Sequence, residues 1–210
     1  MLFDVKWAQS QLARLSPTAL AIFRKIVVDE GGYSNRAADR GGPTNFGVTL
    51  RTAQSYGLAF DYDGDGVVGV ADLKRITAVI AEGFYSYAYY LSPKINLIDA
   101  DVQPVVTDIS VNMGQGTASL MLQRAINVVR ARTSIGSQIV PAPIVEDGAI
   151  GQATARACGL LCDAFGSATI VNAVCDLRDD RYRDIVAKDP TQKANINGWL
   201  NRSDRYRAGV

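Results

Sequence analysis

Apolar residues recur at helical spacing over most of this chain. In Pro17–Glu30, "PTALAIFRKIVVDE", Leu20, Phe23, Ile26 and Val27 fall three and four apart. Ser16 is placed as an N-cap, Pro17 suits the first helical position, and Gly31-Gly32 is a stop. Residues 31 to 47 are rich in turn formers and leave room only for short strands around Asn45–Val48. A short helix follows over Leu50–Tyr56, capped by Thr49, and a helical run reaches about Leu91 after an acidic stretch. The stretches "DADVQPVVTDISVNMG", "TASLMLQRAINVVRAR", "QATARACGLLCDAF" and "SATIVNAVCDLRDDRYRDIVAK" continue the helical period. Residues 133 to 148, with two prolines and two glycines, read as loop, and the tail is polar apart from Trp199, Leu200 and Tyr206. The pattern predicts a mainly α protein with a small irregular or β-containing lobe.

Composition narrows the chemistry. The 210 residues are 48% apolar, enough for a core, and the net charge of +1 lacks the basic excess of a nucleic-acid binder. The start of the chain, "MLFDVKWAQSQLARLS", lacks the pattern of a secretory signal, and no apolar run is long enough to span a bilayer. There is no histidine, which removes histidine triads, histidine-ligated zinc and imidazole bases. Cys158, Cys162 and Cys175 read as small buried hydrophobes. Carboxylates, hydroxyls, amides or a hard cation must therefore do the work.

One carboxylate stands out in "DEGGYSNRAADRGGPTNFGVTL". Glu30 closes its helix, where unpaired carbonyls leave partial negative charge and favour a retained proton. Val27, Val28 and Tyr33 would wall it with apolar surface, and Gly31-Gly32 would let a bulky substrate approach. Asp39 follows on a loop, and two carboxyl groups flanking a glycosidic bond are the minimum for acid-catalysed sugar cleavage. Thr44, Asn45 and Thr49 offer polar groups for a water or a sugar. On spacing alone, a surface glutamate before a helix stop is the commoner reading.

A second motif is "DYDGDGVVGVAD", Asp61 to Asp72. Asp61, Asp63 and Asp65 take the first, third and fifth positions of a calcium loop, Gly66 its turn, Val67 the backbone carbonyl, and Asp72 the last position, where Glu is usual. Alternate carboxylates repel unless a cation neutralises them, so the expected cofactor is a structural Ca2+. A solvated acidic turn is the bland alternative.

"EGGYSNRAADRGGPTNFGVT" resembles the N-terminal signature of glycoside hydrolase family 108, the phage- and prophage-type N-acetylmuramidases. "TDISVNMGQGTASLMLQRAIN" is similar to the family's central helices. "VEDGAIGQAT" resembles the turn opening a C-terminal, peptidoglycan-binding-like region, and "GWLNR" its closing motif. The resemblance implies a lysozyme-like α-helical fold, to which the residue pattern adds the small irregular or β lobe and the EF-hand-like calcium loop. It implies one unit over 1–210, with a catalytic part at 17–130 and a C-terminal helical part at 131–210. It carries over Glu30 as catalytic acid, with Asp39 as partner and Thr44, Asn45 or Thr49 in the third role. Tyr33, Asn45, Thr49, Asp108 and Asn112 become candidates for substrate contact.

The tyrosine-rich "EGFYSYAYYL" reads as core more readily than as a sugar wall, and "RDDRYRD" as a charged outer face whose arginines could also meet anionic polymer. The function expected is a lysozyme-type muramidase cleaving the bond from N-acetylmuramic acid to N-acetylglucosamine, as a monomeric bacteriophage endolysin in cell lysis. It would be made in the bacterial cytoplasm and released to the wall by a separate pore protein. The alternatives are a non-catalytic, calcium-dependent wall-binding module and an antibacterial or wall-remodelling muramidase outside phage lysis.

Overall fold

The computed structural model describes residues 1–35 and 42–207. Two compact units divide it, 1–88 and 89–210. No single helix among the described residues is long and apolar enough to cross a membrane.

The first unit opens with a helix that the apolar pattern does not show, α1 (Val5–Leu12). The Asp4 carboxylate accepts the Trp7 N–H at 2.7 Å and caps it. Only Trp7 and Ala8 of this helix are buried, too few to write a period into eight residues. Next, α2 spans Pro17–Glu30 with Ser16 Oγ accepting from Ala19 N, and Gly31 ends it at φ +70°. Strands β1 (Thr44–Asn45) and β2 (Val48–Thr49) pair antiparallel, with Thr44 opposite Thr49 and Asn45 opposite Val48. Thr49 caps α3 (Leu50–Ser55). A 3-10 turn at Gly57–Phe60 leads to the acidic loop, then α4 (Val70–Arg75) and α5 (Ala78–Ser86), which runs on into a π-helical turn at Tyr87–Leu91.

Helix α1 packs on α5 at a point where a Cβ on Gly83 would lie 2.5 Å from the Ala8 Cβ, so the approach depends on the missing side chain. Around it Phe3 stacks on Trp7 at 3.9 Å, and Phe60 meets Phe84 edge-on at 5.2 Å. This aromatic cluster is the core of the unit, and α5 supplies its centre.

The second unit holds α6 (Gln103–Met113), α7 (Gln115–Ala131), α8 (Ser134–Ile139), α9 (Gln152–Phe165), α10 (Ser167–Lys188) and α11 (Ile196–Asp204). Ile109, Leu122, Ile126, Leu161 and Ile170 are fully buried between them. Helix α8 corrects the expectation of loop over 133 to 148. Thr133 caps it, and Gly136, poor for helix, is kept because a Cβ there would lie 2.5 Å from the Arg130 carbonyl oxygen. Helix α11 corrects the polar tail: Trp199 stacks on Tyr182 at 5.1 Å and Ser203 Oγ donates to the Cys175 carbonyl. In α11 the covered positions Ile196, Trp199, Leu200 and Ser203 keep helical spacing, whereas α8 rests on its cap and on the fit of Gly136.

Gln123 of α7 explains two of the sequence blocks at once. It is buried, its amide nitrogen donates to Asp147 Oδ1 and the Ala149 carbonyl, and its oxygen accepts from Gly148 N at 2.8 Å. Asn127, one turn on, accepts the Ile144 N–H and donates to Glu146. The Gln123 amide is the chief reason the Asp147 carboxyl is held below its ordinary value, and the Asn127 amide does the same for Glu146.

Asp108 ties three helices of this unit. Its Oδ2 accepts from Arg178 Nη2 at 2.7 Å, and Arg202 forks onto both oxygens, with Nη2 at 2.7 Å from Oδ1. Arg178 is fully buried and also donates to the Tyr182 hydroxyl. The outer-face reading of "RDDRYRD" therefore fails at Arg178, Asp179 and Tyr182, which are buried, with Arg178 turned toward Asp108 and the Tyr182 hydroxyl, and holds at Asp180, Arg181 and Arg183, which are exposed.

Candidate active site

Glu30 is exposed at the last position of α2. Among the described residues, a Cβ built on either Gly31 or Gly32 would meet nothing within 4 Å. Val27 below it is buried, but Val28 is 77% exposed and forms no wall. One turn of α2 exposes one side of the helix, and residues 28, 29 and 30 share that exposure. Tyr33 lies half-exposed with Lys74 Nζ 5.0 Å from its ring centroid.

The hairpin faces Glu30. Its two-residue loop is Phe46-Gly47, at φ +48° and +77°, the type I′ arrangement that matches strand twist. Phe46 is a bulky residue held in the left-handed region, which costs energy and marks a constrained turn. A Cβ on Gly47 would overlap the Tyr85 hydroxyl and stand 2.8 Å from Cγ and 3.1 Å from Cδ of Glu30. Three elements thus converge: the end of α2, the hairpin tip and α5.

The hairpin is fixed from behind by Asn45. Its buried amide donates to the carbonyls of Leu73 at 2.8 Å and Ile76 at 3.0 Å, at the end of α4. Those bonds spend both amide hydrogens on structure. Thr49 Oγ1 is likewise engaged, with Thr52 N at 3.0 Å and Thr52 Oγ1 at 2.8 Å. Thr44 differs: its Oγ1 is buried and finds no hydrogen-bond partner among the described residues. A desolvated hydroxyl left without a partner is costly unless something else engages it. The backbone of Thr44 exchanges hydrogen bonds with Ser34 at 2.8 and 2.9 Å. This bridge joins the two ends of the segment carrying Asp39, which lies outside the described residues.

Asp108 and Asn112 belong to the second unit. The carboxylate of Asp108 is engaged by two arginines, and the exposed Asn112 donates to the Asp108 carbonyl at 2.6 Å.

In the acidic loop, ligand oxygens of Asp61, Asp63 and Asp65 lie within 4.8 Å of one another. Asp61 receives the N–H groups of Gly64 and Gly66, Asp63 that of Asp65, and Asp65 that of Val67. Asp72 is buried and its two oxygens accept three N–H groups: Tyr62 at 2.7 Å and Asp63 at 3.2 Å on one, Gly69 at 2.9 Å on the other. Burial opposes its ionisation, yet the N–H groups of Gly69, Tyr62 and Asp63 outweigh it and hold the carboxyl below its usual value. The first three aspartates bring their oxygens close enough together for a hard cation. Asp72 in this arrangement braces the loop. Glu82 of α5 sits apart, its proton favoured by burial and opposed by Arg24 at 3.9 Å.

Comparison with known proteins bears on these features directly. The Glycosyl hydrolase 108 model matches residues 23–114, and the model described as "Predicted Peptidoglycan domain" matches residues 117–204. A solved structure, that of Brucella abortus SagA, is similar to this chain with a TM-score of 0.62 and 25% identity, over 90% of this chain and 91% of that one. Comparison with curated proteins gave no match. The class is thereby defined as a glycoside hydrolase that acts on peptidoglycan. The first part of the chain is thus similar to a glycosyl hydrolase 108 domain and the second to a peptidoglycan-binding-like domain.

The sequence signature singled out Glu30 and the hairpin polar residues but not the Gly47 and Tyr85 side of the site. Neither has a signal of its own: Gly47 reads as a turn, and Tyr85 as one of several core tyrosines.

Proposed function

We propose that this chain hydrolyses the β-1,4 bond from N-acetylmuramic acid to N-acetylglucosamine, with Glu30 as general acid and Asp39 as its carboxylate partner. The observation that carries this reading is Glu30 itself, exposed at a helix end and lodged against the hairpin tip, next to Gly31-Gly32. Glu30 gives its proton to the bridging oxygen as the bond to the muramic acid C1 breaks, and the N-acetylglucosamine side leaves with a hydroxyl. Water supplies a hydroxyl to C1, and its remaining proton returns to a carboxylate. Thr44 is the polar group of the third role, on the ground of a buried hydroxyl with no partner among the described residues.

Digestion of purified peptidoglycan by wild type and Glu30→Gln tests it, with products reduced by borohydride and identified by mass spectrometry. Reduced muramic acid ends from wild type, and none from a folded Glu30→Gln, are expected. Absence of such ends from both proteins would overturn the reading.

In biological terms we read the chain as an endolysin of bacteriophage or prophage origin, made in the cytoplasm and passed to the wall through a separate pore. Wall remodelling by the same chemistry is the rival role. Calcium at Asp61, Asp63, Asp65 and the Val67 carbonyl is proposed as a structural ion, supported by the spacing and the clustered oxygens.

A further inference from the structure

Strand β1 gathers more than its own hairpin. Ser34, the residue after Tyr33, exchanges backbone hydrogen bonds with Thr44 at 2.8 and 2.9 Å. Asn45, the other residue of β1, holds the carbonyl of Leu73 at 2.8 Å, one residue before Lys74 of α4. Tyr33 and Lys74 are thus tied to the same strand from opposite directions in the chain, and the Lys74 ammonium stands 5.0 Å from the Tyr33 ring centroid. The turn that follows β1 brings Gly47 against the Glu30 side chain. One hairpin therefore positions an aromatic ring, a cation and the candidate acid.

A lysine in the last turn of a helix gains from the carbonyls there, and a cation over a tyrosine gains a little more, so neither feature by itself requires a ligand. Two observations go further. Lys74 is exposed and, among the described residues, joins no ion pair, so no carboxylate there neutralises it. Tyr33 remains 39% exposed with the ammonium beside it, which leaves ring surface uncovered. A sugar that carries a carboxylate suits this pair: its C–H face meets the ring, and its anion meets the ammonium. N-acetylmuramic acid is such a sugar, through its lactyl group or the peptide attached there, and N-acetylglucosamine is not.

We propose that Lys74, set over Tyr33, is a specificity-determining residue: its ammonium pairs with a carboxylate on the muramic acid of the substrate, either the lactyl carboxyl of the sugar or a carboxyl of the attached peptide. The inference deepens the proposed hydrolysis and takes its ligand from that reading. Lys74 touches no reacting atom and moves no proton. Its pairing is the same before and during bond cleavage, so it acts on KM and not on kcat.

Three disaccharides separate the sources of charge. N-acetylglucosaminyl-N-acetylmuramic acid with its peptide carries peptide carboxyls, the same disaccharide without peptide exposes the lactyl carboxyl, and the dimer of N-acetylglucosamine carries neither. None contains the bond proposed to be cut, so binding is measured whether or not the protein hydrolyses anything. It is read from the Tyr33 ring resonances, assigned with Tyr33→Phe, so that attachment through the second unit does not enter. Lys74→Met should weaken binding of a charged disaccharide about fivefold, the scale of one exposed ion pair, and leave the neutral dimer unchanged. Weakening confined to the peptide-bearing ligand assigns a peptide carboxyl, weakening confined to the peptide-free one assigns the lactyl carboxyl, and weakening of both assigns either. Lys74→Arg, which keeps the charge over the ring, should bind as wild type does. Equal affinity of wild type and Lys74→Met for both charged ligands overturns the proposal, and so does an equal loss for the neutral dimer. On peptidoglycan, Lys74→Met should raise KM about fivefold at unchanged kcat, with the difference shrinking as salt is added. A fall in kcat at constant KM would place Lys74 with the reacting groups and overturn the proposal. If wild type and Glu30→Gln hydrolyse alike, the proposed acid fails, while the disaccharide titrations still decide Lys74.

Discussion

Asp108 shows how much one residue can bind together. It receives Arg178 from seventy positions away and Arg202 from ninety-four. Its sequence neighbourhood, with Asn112 four residues on, points to a helix face and gives no sign of either arginine. Both oxygens are used and the side chain is 11% exposed, so neutralising it would leave a buried guanidinium unpaired. Asp108→Asn is expected to cost about 3 kcal/mol in chemical denaturation, the scale for breaking one side of a buried pair. Asp180→Asn, which breaks an exposed pair with Arg183, should cost less than about 1 kcal/mol. Equal costs would show that burial does not govern the Asp108 network.

At the scale of elements, the legible ones were the long helices. Helix α2 occupies the expected Pro17–Glu30, and α10 the expected Ser167–Lys188. Helices α1, α8 and α11 were missed although α1 and α8 carry side-chain caps and α11 spaces Ile196, Trp199, Leu200 and Ser203 at helical intervals, because each is short and sets few apolar positions against polar neighbours. The acidic loop is intermediate. Its spacing announces a cation, but the sequence does not say that Asp72 is turned onto the N–H groups of its own loop. The consequence separates the aspartates. Millimolar Ca2+ should raise the melting temperature over chelated protein by several degrees, since a ligand at a hundred times its Kd adds about 2.7 kcal/mol. Replacing Asp63 and Asp65 together by Asn should abolish that shift. Asp72→Asn should destabilise the protein with or without calcium, because its partners are backbone groups. A melting temperature indifferent to calcium in the wild type would remove the ion from the account.

Two tryptophans divide the molecule between them. Trp7 lies in the first unit, stacked on Phe3, and Trp199 in the second, stacked on Tyr182. Trp199→Phe leaves a reporter of residues 1–88, and Trp7→Phe a reporter of residues 89–210. The smaller unit buries a smaller share of its surface, so the Trp7 signal should be lost at a lower denaturant concentration. Coincident midpoints would show one cooperative whole. Within the first unit, distance along the chain limited the reading of the site. Its signature residues lie close in sequence and were found. The face that completes the candidate acid comes from α5, about forty residues beyond the hairpin, where nothing marks one tyrosine among its neighbours.

The three cysteines have a further consequence. Cys158, Cys162 and Cys175 are all free, all buried and all in the second unit. Cys158 is pushed up by its bond with Cys162 and by burial, and Cys175 by burial, while the same bond from Cys158 pulls Cys162 down, so at Cys162 the protection is burial alone. Exchange with an oxidant requires an accessible thiolate. The folded second unit is thus its own protection against oxidation, and the hazard falls on the interval before folding. An oxidising surrounding would spare the finished molecule and trap the nascent one, so the order of folding and exposure to oxidant decides how much intact protein survives.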